Sequence, residues 1–274
     1  MKKLILVTLA SASLLALTAC VSSSKEATSD NSKSNTLETQ KKVDTEPFLV
    51  GYDMMKNERV YYEADYNEDN PLGVNTKITY MYIFKKGKVS VYYVTSSSDP
   101  TSDITLGSLK GLNQREILNK VVSNNKKAFD VAKEETKEIN PNVSLKAEYI
   151  EPNWQNIKIE ALTDPSGNTL AEERISAKNI NISGGNVDPV PRIEGDTGEP
   201  AGGLYGGDKN STISFTLSNY EKGAFPVFNQ NYAFFDVGSH TAFITANNSS
   251  SLPGLDSLDE NFVKVLTESF DDID

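Results

Sequence analysis

A single cysteine, Cys20, in a chain of 274 residues is the feature that most constrains what this sequence can fold into. No intrachain disulfide can form and no thiolate pair can hold a metal or cycle between redox states. The fold must therefore rest on buried apolar surface and hydrogen bonds alone. The position of that cysteine says more. Lys2 and Lys3 precede an uncharged stretch, Leu4 to Leu17 (LILVTLASASLLAL), which is too short and too interrupted by Ser and Thr for a comfortable membrane span. Leu17-Thr18-Ala19-Cys20 follows. A charged start, an apolar middle and small residues at the end are the three parts of a secretory signal, in order.

The tetrapeptide Leu17-Thr18-Ala19-Cys20 resembles the lipobox of bacterial lipoproteins. That resemblance implies a signal peptide over 1–19, cleavage before Cys20 and a diacylglyceryl group on its sulfur. Two acyl chains give stable anchoring where one does not. The expected location is then the outer, extracytoplasmic face of the cell membrane. From Val21 to Glu46 the chain is rich in Ser, Thr, Asn, Lys and Glu and almost free of large apolar side chains. Such a segment cannot offset its ordering entropy by burial. Residues 20–46 read as the lipidated cysteine and a flexible tether, with a root-mean-square reach of about 25–30 Å. A globular region is expected over 47–274, large enough for one domain or two small ones.

Loss of Lys2 and Lys3 would move the formal net charge from −11 to −13. Nucleic acid and anionic lipid headgroups repel such a surface, so no nucleic-acid partner is expected.

Hydrophobic periodicity organises the globular region as α+β, mainly antiparallel sheet with two principal amphipathic helices. Arg59 to Tyr66, Thr76 to Phe84 and Val89 to Val94 carry aromatic and β-branched residues suited to strands, and Lys85-Lys86-Gly87-Lys88 closes a hairpin over Lys77 to Thr95. Asn113 with Glu116 forms a capping-box pair ahead of Leu118, Val121, Val122, Phe129 and Ala132, which predicts a helix over Asn113 to Glu138 ended by Pro141. Strands are expected at Val143 to Ile150, Trp154 to Leu162, Thr169 to Ile175, Thr212 to Leu217, Tyr232 to Val237 and Thr241 to Thr245. Residues 184–208 hold eight glycines and three prolines and read as a long loop or linker. Ser257 and Glu260, followed by Leu258, Phe262, Val265, Leu266 and Phe270 on one face, predict a second helix at the end.

The motifs that could carry chemistry are sparse. His240 is the only histidine, so a site needing two imidazoles cannot form within one chain, and no zinc or other metal site is expected. It follows Asp236-Val237-Gly238-Ser239 without a Gly-x-Ser-x-Gly elbow, and reads as a turn residue rather than a catalytic base. Ser123-Asn124-Asn125-Lys126 matches a Ser-x-x-Lys pattern but lacks its companion motifs in the required order. Asp65 to Asp69 begins like a calcium loop, yet Asn70 and Thr76 stand where glycine and a bidentate glutamate are needed. Gly202 to Gly207 lacks the Lys-Ser/Thr of a phosphate-binding loop. No catalytic, cofactor-binding or metal residue is assigned, and the one site residue is Cys20, for lipidation.

Together with the lipobox, Tyr82 to Val89 (YIFKKGKV) and Ile104 to Leu109 (ITLGSL) ahead of a helix resemble small surface lipoproteins of streptococci and relatives, largely of unassigned function. The expectation is a membrane-anchored, non-enzymatic binding or accessory module at the cell envelope, held by lipid on Cys20, with an envelope or extracellular partner. One alternative is a cell-wall hydrolase working through acidic residues. Another, a solute receptor, would need more βα alternation than the chain carries.

Overall fold

The computed structural model describes residues 48–94, 104–139, 147–187, 204–205, 207–249 and 251–266. Cys20, the tether, Phe270 and most of the Gly/Pro-rich segment lie outside them. The strands are β1 (Glu58–Asp65), β2 (Tyr80–Lys85), β3 (Lys88–Tyr93), β4 (Ala147–Ile150), β5 (Gln155–Asn156), β6 (Lys158–Thr163) and β7 (Leu170–Val187). They continue with β8 (Leu204–Tyr205), β9 (Asp208–Ser218), β10 (Lys222–Val227), β11 (Gln230–Asp236), β12 (Thr241–Ala246) and β13 (Val263–Leu266). The helices are α1 (Val50–Lys56) and α2 (Gln114–Ile139).

The expected hairpin sits at the centre. Lys86 and Gly87 take φ of 49° and 74°, so both central residues of the turn are left-handed, a twist that matches the flanking strands. β1 pairs antiparallel with β2, and β12, β11 and β10 follow outward to one edge. Beyond β3 the order runs through β7 and β6 to β13. β9 pairs with β7, and its Phe215 stacks on Phe243 of β12, with ring centroids 4.5 Å apart. The sheet has therefore folded over, so that its two halves face each other.

The central strands are buried on both faces. Tyr61, Tyr82, Phe84, Val91 and Phe243 join Ile175, Phe215 and Leu217 in the core inside the fold. Their chain neighbours Tyr62, Met81, Ile83, Tyr92 and Ile244 form a second core with Leu106, Leu109, Ile117 and Val121. α2 covers that second face. Its expected capping box is present: Glu116 N–H donates to Asn113 Oδ1 at 3.1 Å and Asn113 N–H to Glu116 Oε2 at 2.8 Å.

The structure corrects several expectations. The C-terminal helix is not formed over the described residues. Val263–Leu266 is instead a strand lying parallel to Ile159–Leu162 of β6, because a short run with apolar residues at both spacings can satisfy the open edge of a sheet. The second helix is α1, which is only seven residues long, lacks a side-chain cap and carries Gly51 in its first turn. Burial of Val50 and Met54 holds it rather than local propensity. The sheet is mixed, with parallel β3–β7 and β6–β13 pairs beside the antiparallel ones. β10 has no counterpart in the sequence reading because Gly223 and Pro226 break the pattern, although an edge strand tolerates proline.

At 184–208 the loop reading is corrected at both ends. β7 runs on through Gly184 to Val187 and pairs with β4, and β9 starts at Asp208. Gly207 is buried against this strand, where an added Cβ would lie 2.6 Å from the Gly184 carbonyl carbon. Glycine here permits close backbone approach.

Candidate functional site

The first arrangement of titratable groups lies inside the core. On β7, residues 173, 175 and 177 point inward, which puts Glu173 in an apolar row, 0% exposed. Asp256 is 6% exposed and meets it from the segment after β12. Asp256 Oδ1 accepts from the Tyr52 backbone N–H at 2.9 Å. Burial, then the charge of Asp256, pushes Glu173 well above the usual carboxylate range, and burial raises Asp256 as well. Two carboxyl groups this close in an apolar setting hold one shared proton and one charge. Gly51 is the third partner: an added Cβ would collide with Asp256 Oδ2 and lie 2.6 Å from Glu173 Oε1. Asp53, 5% exposed, forms an ion pair with Arg59, whose guanidinium also lies 4.0 Å from the centre of the Phe48 ring. Glu173 is sealed by α1 and by the core around Tyr61, whereas Asp256 also borders a hollow of about 380 Å³ beside Leu170 and Asn219, and Arg59 reaches the other face.

The second arrangement opens to solvent on the opposite face of the same strands. A cleft of about 560 Å³ lies between the start of β1, the 3-10 turn at Leu106–Leu109, the first turn of α2 and the tip of the β10–β11 hairpin. That volume is in the ordinary range of ligand sites. Tyr62 and Tyr232 line it, 5% and 8% exposed. Burial raises both phenols, and neither hydroxyl is hydrogen-bonded to a described residue. Gln114, Asn229, Gln230 and Asn248 bring amides to the cleft. Glu58 is the only carboxylate that lines it among the described residues, and it is engaged by Lys85 at 2.6 Å and by Gln114 Nε2 at 2.8 Å.

Phe228 stands at the hairpin tip with φ of 54° and half its surface exposed. A bulky side chain at positive φ is a backbone outlier costing about 1–3 kcal/mol. The Lys110 ammonium lies 4.2 Å from its ring centroid. The cleft therefore combines a strained, exposed ring with two unpartnered phenols.

The residues weighed from sequence fall elsewhere. His240 is in the turn before β12, as expected, with φ of 60°. Asp236 does not orient it, because Asp236 accepts from Tyr66 Oη at 2.6 Å and from the Gly238 N–H at 2.8 Å. Ser123 is exposed on α2, and Lys126 turns away to Glu151 at 3.2 Å and to the Tyr149 ring. In the acidic turn, Asn67 Oδ1 accepts from the Asn70 N–H and Asp65 accepts from the Thr241 hydroxyl. No group of three acidic, histidine or cysteine side chains able to hold a metal occurs among the described residues. None of the cleft residues was singled out from sequence. The one local signal is Phe228-Asn229, an aromatic where a two-residue turn usually places glycine or asparagine.

No protein-family model, no curated protein and no solved structure matches the chain. Among the described residues no helix is long and apolar enough to cross a membrane. Fold and site define the class: a folded-over mixed sheet with a ligand-sized cleft beside its helix-covered face.

Proposed function

We propose that the chain is a lipoprotein, anchored through Cys20 on the extracytoplasmic face of the membrane, that binds an envelope component through the cleft and does not transform it. Leu17-Thr18-Ala19-Cys20 supports the anchoring, and the polar segment over 21–46 supplies the tether. The observation that carries the binding reading is the pair of largely buried tyrosines, Tyr62 and Tyr232, whose hydroxyls reach the cleft without a protein hydrogen-bond partner, in a lining with only one carboxylate among the described residues. Water can satisfy both hydroxyls in the free protein, and a ligand that displaces it must give each of them a partner. Hydrolysis of a glycan by acidic residues would need two carboxylates converging on one bond. Glu173, the more strongly perturbed member of the Glu173–Asp256 pair, is 0% exposed in the core on the other face.

The test has two arms. Wild type should incorporate labelled fatty acid and fractionate with membranes, and Cys20→Ser should do neither. In the second arm, the full chain should sediment with isolated cell-envelope material, and Phe228→Gly should lose that retention. Release of soluble fragments from the envelope material, abolished by Glu58→Gln, would make the protein a hydrolase instead.

A further inference from the structure

The chemistry lining the cleft narrows what it can hold. Its charges are already engaged internally: Arg59 by Asp53 and the Ala246 carbonyl, Glu58 by Lys85, and Lys110 by the Phe228 ring. A charged ligand would find no unengaged opposite charge in the cleft, and an anion would also face a chain of net charge −11. A wholly apolar ligand would leave the two phenols and the amide groups buried without partners. What remains is a neutral ligand rich in hydrogen-bonding groups.

Donors and acceptors decide further. A tyrosine hydroxyl both donates and accepts, and each Asn or Gln amide offers both functions. A proline-rich peptide presents mainly carbonyl acceptors and would leave the acceptors of the cleft idle. Sugar hydroxyls match both, and the flat, CH-lined face of a pyranose suits an exposed aromatic ring.

The aromatic surface does not stop at the cleft. Tyr232 stacks on Phe225 (5.9 Å between centroids), Phe225 lies 6.1 Å from Phe234, Phe234 5.9 Å from Tyr66, and Tyr66 6.3 Å from His240. This row ends at a second hollow of about 360 Å³, where Tyr66, Phe225, Phe234 and His240 meet Pro71 and Leu72 with Asn67 and Glu68 at its margin. Gly223 makes the row possible: a Cβ there would lie 2.6 Å from the Phe234 ring, so the ring lies flat across the edge strand only because residue 223 has no side chain. A row of rings running from one hollow to the next fits a chain of sugar units better than a single one.

We propose that the cleft and the adjoining aromatic row bind a neutral oligosaccharide, with the Tyr62 and Tyr232 hydroxyls bonded to it and Phe228 stacked on its first ring. The assignment rests on the binding reading of the cleft and adds the class of ligand. The experiment is isothermal titration of the full chain in a sugar-free detergent, using tetra-N-acetylchitotetraose, cellotetraose, maltotetraose and a proline-rich decapeptide. At least one tetrasaccharide should bind. Joint Tyr62→Phe and Tyr232→Phe, which keep both rings, should weaken it more than about tenfold. Phe228→Gly should weaken it by a similar factor, and Tyr220→Ala, a highly exposed residue outside the cleft, should leave it unchanged. If a saccharide binds and the folded double variant binds it equally well, the site is elsewhere and the assignment is overturned. If no saccharide binds, the ligand class is wrong. Peptide binding weakened by the same variants would then leave the cleft a binding site, and envelope sedimentation decides that reading independently.

Discussion

Tyr61 and Tyr62 are neighbours in β1 and look into different worlds. Tyr61 is fully buried, stacked on Phe243 with centroids 4.5 Å apart, and its hydroxyl is enclosed near Asp53, Glu173 and Asp256 without a hydrogen-bond partner. Tyr62 faces the cleft, where a ligand can reach its hydroxyl. The same alternation puts the carboxyl pair inside and the amide-lined cleft outside. Perturbed titration alone would point to Glu173 as the site. Access reverses the choice, because a group no ligand can touch contributes to stability and not to recognition.

The comparison is most open to attack at Gly51. A Cβ there must displace both carboxyl groups in a packed core, so Gly51→Ala should lower stability by about 3 kcal/mol or prevent folding. Chemical denaturation that finds a loss under about 1 kcal/mol would mean the carboxyl pair is loosely held and the enclosed description is wrong.

Next in size is the tyrosine contrast. Tyr61→Phe removes an enclosed, unpartnered hydroxyl and should raise stability by about 1–2 kcal/mol. Tyr62→Phe should change stability by less than about 0.5 kcal/mol while weakening the ligand. Equal stability changes in the two variants would erase the distinction between the faces.

The carboxyl pair predicts a pH dependence of definite sign. Burial keeps the proton on Glu173 in the folded chain at pH values where the unfolded chain has lost it. The folded state then binds more protons, and stability falls as pH rises from the ordinary glutamate range towards the raised folded value. Glu173→Gln should flatten that part of the profile and stabilise the chain by about 1 kcal/mol at pH 8. Melting profiles of the two proteins that run parallel across this range would remove the shared proton from the account.

Phe228 tests the cleft with little change in stability. Glycine accepts positive φ without strain, so Phe228→Gly should leave stability unchanged or raise it by about 0.5–1 kcal/mol even as binding is lost. A marked loss of stability would show the ring to be structural.

Much of the fold was legible in the chain because local rules dominate there. The hairpin around Lys86-Gly87 follows from turn chemistry, and α2 begins at its capping box. The β6–β7 pair joins the strands expected at Trp154 to Leu162 and Thr169 to Ile175. Elements held by partners far away in sequence were not legible. α1 depends on the bridge between Leu49 and Gly254, β13 on the open edge of β6, and β10 on its place at the edge of the sheet.

The candidate site was less legible still. Glu172 and Glu173 are adjacent acids, and only the register of β7 decides which one is buried. The cleft draws on residues 58–62, 106–117, 227–232 and 245–248, which no spacing in the sequence relates.

By itself, the sequence determined that no disulfide or multi-histidine metal site could hold this chain, that strands would dominate, and that one capped helix would lie among them. Each of these follows from residue identity or from neighbours a few positions apart. Only the tertiary structure decided that the sheet folds over on itself, that Glu173 is enclosed, and that two phenols share an open cleft. Those outcomes depend on which face of each strand meets the rest of the chain, and a shift of one residue in register would exchange the enclosed tyrosine for the accessible one.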